Sequence, residues 1–428
     1  MNEWLEKFPP AWQKFWTDNG FEEPSLIQKE VFEQLKQKES LVGISPTGSG
    51  KTLAYLLPLL LNIEKGEASK LLVLTSSQEL AVQVADVARK WAKEVDLNVQ
   101  AIVGGGNVKR QVEGLKKKPE ILVGTPGRVL ELMKSRKLKA HQIQTIVLDE
   151  ADQLFDGSSV TLIEQILKQA PVDYQLAFFS ATADRSIEEI QKVTNQEYPV
   201  IDVTESDDSR KQLRHFYLQV PSRKKEEYLR RLAQVEGFQS LVFFNQLSEL
   251  GAAEEKLSYR GISVGSLASD QNKLVRQAAL TNFREGKITE LLTTDVAARG
   301  LDIDSLHYVV NAEVPLSPES YLHRSGRTGR MGNEGSVITF VQDHTFKDLK
   351  RIARDAKISL EEIFIYGGEL LTELPEKEPV KNSLPTQKKP SVSKPKAPQK
   401  AMNDAEKIKP KKHKKKRKNE KNKGARRK

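Results

Sequence analysis

Short runs of Val, Ile and Leu recur along the chain, and between them apolar residues return every three or four positions. The runs at 41–45, 71–75, 99–103, 121–124, 145–149 and 175–180 read as strands, because continuous apolar runs of this length suit strands buried on both faces of a parallel sheet. The stretches at 28–37, 51–61, 78–92 and 158–168 carry the helical period. Strand and helix in alternation predict an α/β fold, a mostly parallel sheet with helices on both faces. The polar segment 202–214, DVTESDDSRKQLR, breaks that rhythm and reads as a linker. A second alternating series follows, with strands expected at 216–220, 240–244, 262–266, 289–293, 307–311 and 336–341 and helices at 223–235, 246–257 and 271–284. It ends near Gly368. The expected organisation is a first domain at 1–203, a linker at 204–214, a second domain at 215–368 and an extension at 369–428.

The extension differs in kind. From Lys381 to Lys428 there are 20 Lys or Arg and three acids, which leaves the first 380 residues at −7 in a chain of net +10. A lysine- and proline-rich segment of this sort cannot bury apolar surface and is expected to be disordered. As an arm it suits a polyanion, because clustered cations release counterions on a phosphate backbone. A solvated solubility tail is the plainer alternative. The chain of 428 residues is long enough for two domains of ordinary size. It has no cysteine, which excludes a disulfide framework and a cysteine-based metal site and fits a reducing compartment. The N-terminus, MNEWLEKFPP, lacks a signal-peptide core. The longest apolar run, LAYLLPLLL, is too short to span a bilayer and contains Pro58. A soluble, cytoplasmic protein without membrane contact is expected.

Chemistry enters at SPTGSGKT, residues 45–52, set between the apolar LVGI and a helical run. Gly48 and Gly50 let the backbone curl so that its N–H groups, with Thr47 and Ser49, face a phosphate, and the new helix adds its positive end. Lys51 can reach the β and γ phosphates, and Thr52 can ligate magnesium. The pattern GxxxxGK[ST] calls for glycine at 45, where this chain has Ser45. Further on, VLDEAD puts three acids, Asp149, Glu150 and Asp152, within four positions at a strand end. With a phosphate loop upstream, Asp149 is the candidate magnesium ligand. Glu150 can orient and deprotonate the attacking water, and Asp152 is expected to face Arg or Ser groups. ATP and Mg2+ are the implied cofactors. The second domain has no phosphate loop, so it should contribute to a shared site. Its chemical stretches are TTDVAARGLDI, residues 293–303, and HRSGRTGR, residues 323–330. Either could be a charged surface turn; the sharper reading makes Arg327 and Arg330 arginine fingers that reach across a cleft to the γ-phosphate.

Together these residues resemble the DEAD-box ATP-dependent RNA helicases, over about residues 1–368. The resemblance implies two tandem RecA-like domains. GFEEPSLIQ, 20–28, is similar to the adenine-reading Q motif, with Gln28 on the adenine edge and an upstream aromatic for which Trp4 and Phe8 are candidates. Ser180–Thr182 (SAT) resembles the segment that couples hydrolysis to strand separation. Gly104–Gly105 and Thr125, Pro126, Gly127 and Arg128 resemble loops that bind the RNA backbone, with Arg128 ordering its loop. LVFF, 241–244, resembles the strand that opens the second domain's RNA surface. Thr294, Asp295 and Arg299 fall in the next RNA and coupling motif, Asp302 in the position that approaches the ATP ribose, and His323, Arg324, Arg327 and Arg330 in the last motif. Departures are Gln78 within SSQEL, ASD at 268–270, Lys273 and Ser325; they bear on RNA affinity or domain coupling rather than on hydrolysis.

The expected activity is RNA-stimulated ATP hydrolysis that unwinds short duplexes or remodels structured RNA and ribonucleoprotein, with little sequence selectivity and with ribonucleoprotein partners. A DNA translocase and a non-enzymatic RNA clamp are the alternatives from other classes. Members of the family act in ribosome assembly, messenger turnover and cold adaptation, so ribosomal and messenger RNA are the expected partners. A monomer is the default.

Overall fold

The computed structural model describes residues 3–155, 159–182, 184–207, 213–268, 270–298, 306–329 and 334–373. Residues to Pro375 form one compact unit. The basic extension expected at 369–428 lies outside the described residues from position 374 onward.

Two seven-stranded sheets organise that unit. The first holds β1 (Leu41–Ile44), β2 (Leu71–Leu74), β3 (Val99–Ile102), β4 (Ile121–Gly124), β5 (Thr145–Asp149), β6 (Gln175–Ser180) and β7 (Val200–Asp202). Its order is β3-β4-β2-β5-β6-β1-β7, and every pair is parallel. The second holds β8 (Leu213–Gln219), β9 (Ser240–Phe244), β10 (Val264–Leu267), β11 (Glu290–Thr294), β12 (Tyr308–Asn311), β13 (Gly335–Val341) and β14 (Glu361–Glu362), in the order β10-β11-β9-β12-β13-β8-β14. Counted from its own first strand, each lobe has the same order. Apolar clusters cover both faces of each sheet, which is why the inner strands read as unbroken apolar runs. β7 and β14 escape that reading because they are short, exposed in part and lie at sheet edges. A short antiparallel hairpin, Phe364–Tyr366 with Glu369–Leu371, closes the second lobe.

The N-terminal segment packs on the first lobe through an aromatic cluster. Trp12 and Trp16 are fully buried, and Trp4, Phe8, Phe32 and Trp91 join them edge to face or tilted at centroid distances of 4.5–6.1 Å. Trp4 and Phe8 are therefore core residues, and their packing corrects the expectation that one of them offers a free face to a base. Among the described residues no helix is long and apolar enough to cross a membrane.

The strand order explains how distant segments meet. In open α/β sheets ligands bind beyond the carboxyl ends of the strands. β5, β6 and β1 are adjacent, so the loops after Asp149, Ser180 and Ile44 emerge side by side. β3 and β4 are adjacent as well, which brings Gly104–Gly106 beside Thr125–Arg128 on the same edge. In the second lobe the segment after β8, the counterpart of β1, runs through Pro221 into the turn Ser222–Lys224 and has no glycine. That backbone cannot form the glycine loop found after β1.

Candidate active site

The phosphate loop begins where the apolar strand β1 ends. Gly48 and Gly50 take φ of 84° and 88°, a left-handed conformation that costs other residues energy. Gly50 is constrained twice, since a Cβ there would sit 2.6 Å from the Gln28 Nε2. Ser45, standing where the general pattern has glycine, shares a short hydroxyl contact with Ser49, and Ser49 Oγ donates to the Pro46 carbonyl at 2.8 Å. Lys51 donates to the carbonyls of Ser45 and Pro46, both at 2.7 Å, so its ammonium is folded over its own loop. Thr52 follows on the first turn of the helix Lys51–Leu60.

Gln28 is buried at the start of the helix Leu26–Lys36. Its Oε1 accepts from Ser25 N at 3.1 Å, and its Nε2 donates to Gly50 O at 3.2 Å. The amide thus ties the N-terminal segment to the phosphate loop. Ser45 N donates to the Ser180 carbonyl at 3.1 Å, which fastens the loop to the end of β6; Thr182 N lies 3.3 Å from the Ser180 hydroxyl.

The acids have separate environments. Asp149 is buried; Tyr55 donates its hydroxyl to Oδ2 at 2.8 Å and Glu150 N donates to Oδ1 at 3.0 Å. Burial, reinforced by the Glu150 charge, pushes Asp149 up to about 6, against the opposing pull of Tyr55 and Lys51. Glu150 holds left-handed backbone, φ 53°, a strained conformation for a non-glycine, and its carboxylate accepts from the Ser76 hydroxyl at 2.8 Å. Asp152 corrects an expectation: its neighbour is neither Arg nor Ser but His323, whose Nε2 lies 3.0 Å from Oδ2. Burial pushes Asp152 up, and the adjacent imidazole together with Lys51 and the Gln153 backbone outweighs that, so its carboxyl stays below the usual range.

His323 belongs to the second lobe, and the contact shows the cleft between lobes to be closed on the site. Gln153 Nε2 lies 3.3 Å from His323 Nδ1. Arg276 donates to Glu79 at 3.0 Å and to the Ala297 carbonyl at 3.2 Å. The turn after the helix Pro318–Ser325 is seated on the phosphate loop: a Cβ on Gly326 would lie 1.5 Å from Thr47 Oγ1 and 2.5 Å from Thr47 Cβ. Arg327 follows in that turn, half-buried. Arg299, Asp302 and Arg330 lie outside the described residues.

Arg324 has a structural position. It is 1 % exposed and donates to both carboxylate oxygens of Asp295 at 2.7 Å, to Asn245 Oδ1 at 2.8 Å, to Asn311 Oδ1 at 3.2 Å and to the Glu313 carbonyl at 3.3 Å. One bidentate guanidinium thereby fixes the loops after β9, β11 and β12. Thr294 ends β11, and Asp295 begins the short helix that follows it.

On the other half of the first lobe's edge, Thr125 takes the N-cap position of the helix Pro126–Lys134 without a side-chain capping bond, and the helix's first residue is proline. Proline at this position leaves the N–H groups of Gly127 and Arg128 at an open helix N-terminus, the usual seat for a phosphate. Arg128 donates to the Gly106 carbonyl at 3.3 Å and pairs with Glu131 at 2.9 Å, joining this loop to Gly104–Gly106. Gly105 has φ 62°, and the Gln78 amide lies against Gly104, where a Cβ would meet it at 2.9 Å.

Sequence reasoning did not single out Tyr55, Ser76, Gln153 or Asn245. Tyr55 carried a usable signal: it is four residues after Lys51, on the same helix face, and is the one polar tip in an apolar run. The other three act through strand adjacency or across the cleft, which no local pattern reports.

A phosphate loop, paired acids at the end of a strand one removed from it and a second lobe closing on both define a two-lobed P-loop ATPase. Comparison narrows the class. The family model described as "DEAD/DEAH box helicase" matches residues 25–190, and "Helicase conserved C-terminal domain" matches residues 224–332. The chain is 40% identical over 361 residues to the probable ATP-dependent RNA helicase YfmL of Bacillus subtilis, covering 84% of this chain and 96% of that one. It is 35% identical over 395 residues to the DEAD-box ATP-dependent RNA helicase CshC of Bacillus cereus, covering 92% and 100%. The solved structure of S. cerevisiae Dbp5 bound to RNA and ADP BeF3 matches with a TM-score of 0.75 at 29% identity, covering 84% of this chain and 94% of that one. The chain belongs to the DEAD-box ATP-dependent RNA helicases.

Proposed function

We propose that this enzyme hydrolyses ATP to ADP and phosphate in order to unwind short RNA duplexes or remodel structured RNA, ribosomal or messenger, in the cytoplasm and as a monomer. One observation carries the reading: the Gly326–Arg327 turn of the second lobe rests on Thr47 of the phosphate loop while His323 meets Asp152, so a single cleft joins both lobes.

In this reading Gln28 reads adenine, exchanging its bond to Gly50 for the base edge. The loop from Thr47 to Thr52 wraps the phosphates, and Lys51 leaves its own carbonyls for the β and γ oxygens. Asp302 approaches the ribose, and Arg327 with Arg330 faces the γ-phosphate. The residues present fit magnesium: Asp149 is a carboxylate driven toward protonation first by burial and then by a second acid, a cost a divalent cation removes, and Thr52 supplies a hydroxyl. When bound, the ion neutralises charge on the β and γ phosphates. Glu150, oriented by Ser76, holds the attacking water and takes its proton. Gly105 and Thr125–Arg128 hold the RNA backbone with Thr294, Asp295 and Arg299. Ser180, Thr182 and His323 transmit the state of the nucleotide to the cleft.

Glu150→Gln tests the chemistry, because the amide keeps the shape and loses the base. Steady-state ATPase at saturating RNA should fall by at least about a hundredfold, with ATP binding retained. Turnover within about threefold of the parent chain would remove Glu150 from that role.

A further inference from the structure

The first lobe carries a second charged surface at the opposite end of its sheet. A groove of about 870 Å³ runs beneath the amino ends of β2, β4, β5 and β6, bounded by the segments before Leu71, Ile121, Thr145 and Gln175. Strands of four to six residues separate it from the nucleotide edge, on the order of 15 Å. Lys116, Lys118, Arg136, Lys137 and Lys139 line it, all exposed, and none has an ion-pair partner among the described residues. Its acids are Glu67, which pairs with Lys70 at 3.2 Å, and Asp173. The first 380 residues are net acidic, so this concentration runs against the rest of the core.

Helix ends explain part of it. Lys116 and Arg136 follow the helices Val108–Leu115 and Pro126–Lys134, where a cation offsets the negative pole. That accounts for about one charge per helix, not five. Lys118 and Arg136 also occupy left-handed backbone, φ 55° and 56°, at sites just past a helix where glycine is the relaxed choice. The chain holds cations there at a conformational cost of about 1 kcal/mol each.

We propose that this groove is a second RNA-binding surface, one that holds the phosphate backbone of RNA extending beyond the cleft. The chemistry selects a polynucleotide. The floor is aliphatic, from Leu115, Leu138 and Ile143, and no Phe, Tyr or Trp lines it to anchor a protein; the one ring in its lining is the His141 imidazole. The cations are long, exposed and flexible, unlike the few buried and directed donors that fix a small phosphorylated ligand. Contact with phosphate alone positions RNA without reading its sequence. The proposal rests on the chain's being an RNA-dependent ATPase.

The test uses the full-length protein with Lys116→Gln, Lys137→Gln and Lys139→Gln combined, which spares both left-handed positions. RNA affinity and ATPase are titrated with single strands of about ten and about forty nucleotides at several salt concentrations; at about 3.4 Å per phosphate the longer strand can leave the cleft and pass round the lobe. The variant should bind the long strand at least about fivefold more weakly, with a salt slope smaller by up to about 2, since each lost contact on a single strand removes about 0.7. Half-saturation by the short strand and the maximal rate should not change. In the unaltered protein, photocrosslinks from the long strand should fall on the segments 112–118 and 134–144, a readout independent of how the variant folds. Equal losses for both lengths, unchanged affinity for the long strand, absence of those crosslinks, or displacement by polyglutamate without any RNA effect would each overturn the proposal. Loss of stimulation by the short strand in the parent chain would instead remove the reading on which it rests.

Discussion

At the scale of single residues, Gly326 has the least room for a side chain among the described glycines. It belongs to the second lobe, yet the atoms that forbid a side chain there, Thr47 Oγ1 and Cβ, belong to the first. A methyl group at 326 meets nothing comparable unless the cleft is shut. Gly326→Ala should therefore leave both lobes folded and reduce RNA-stimulated turnover by about fivefold or more, the equivalent of an overpacking penalty of about 1–3 kcal/mol applied to the closed state alone. Melting temperature and RNA-stimulated ATPase, measured together, check this; an unchanged rate would mean that the productive state does not bring Gly326 onto Thr47. The chemical residues were legible because their types and spacing are local: two glycines before Lys51, acids directly after an apolar run. Their partners were not. Ser76 reaches Glu150 because β2 lies beside β5, and Arg324 reads as one cation among four until its five hydrogen bonds show it to be a brace for Asp295.

At the scale of elements, β11 contains an unusual group. Glu290, paired in register with Ser240 of β9, is completely buried, and its two carboxylate oxygens and the Ser240 hydroxyl have no hydrogen-bond partner among the described residues. Burial raises its carboxyl well above the ordinary value of 4.5. Because the folded state holds a proton that the unfolded chain releases, the second lobe is most stable below that ordinary value and loses stability as pH rises toward the folded one. Glu290→Gln removes the titration while keeping the shape. It should raise the melting temperature of the second lobe at pH 8 and much less at pH 5, as calorimetry across that range would show; a pH-independent difference would rule out a proton on Glu290. Pattern reading found the inner strands to within a residue or two where their environment is uniformly apolar; β8, whose burial alternates, begins at Leu213, three residues ahead of the expected 216. It passed over the helices Pro10–Asp18 and Pro318–Ser325, which open on proline, and β7 and β14, whose exposed edge positions leave no apolar run.

At the scale of the whole molecule, charge is divided between a net-acidic core and residues 381–428, which hold 20 Lys or Arg. A chain ended after Pro375 retains every described element and should hydrolyse ATP at the same maximal rate. It should need more RNA for half-maximal activity and lose affinity less steeply with salt, since a tethered cationic arm raises the local RNA concentration without building the site. ATPase and binding titrations of both chains at several salt concentrations decide it, and identical salt slopes would assign the arm to another partner.

The aromatic packing of the N-terminal segment has an optical consequence. All four tryptophans of the chain, at positions 4, 12, 16 and 91, lie in one cluster on the first lobe, and the second lobe has none. Intrinsic emission excited at the red edge of the indole band therefore reports one lobe and is blind to the other, while far-ultraviolet dichroism reads both. If the lobes melt in separate steps, the two signals will trace different transitions in denaturant, and superimposable curves would mean that they unfold as one unit. The enzyme carries, without any label, a probe that separates the stability of its nucleotide-binding half from that of its partner.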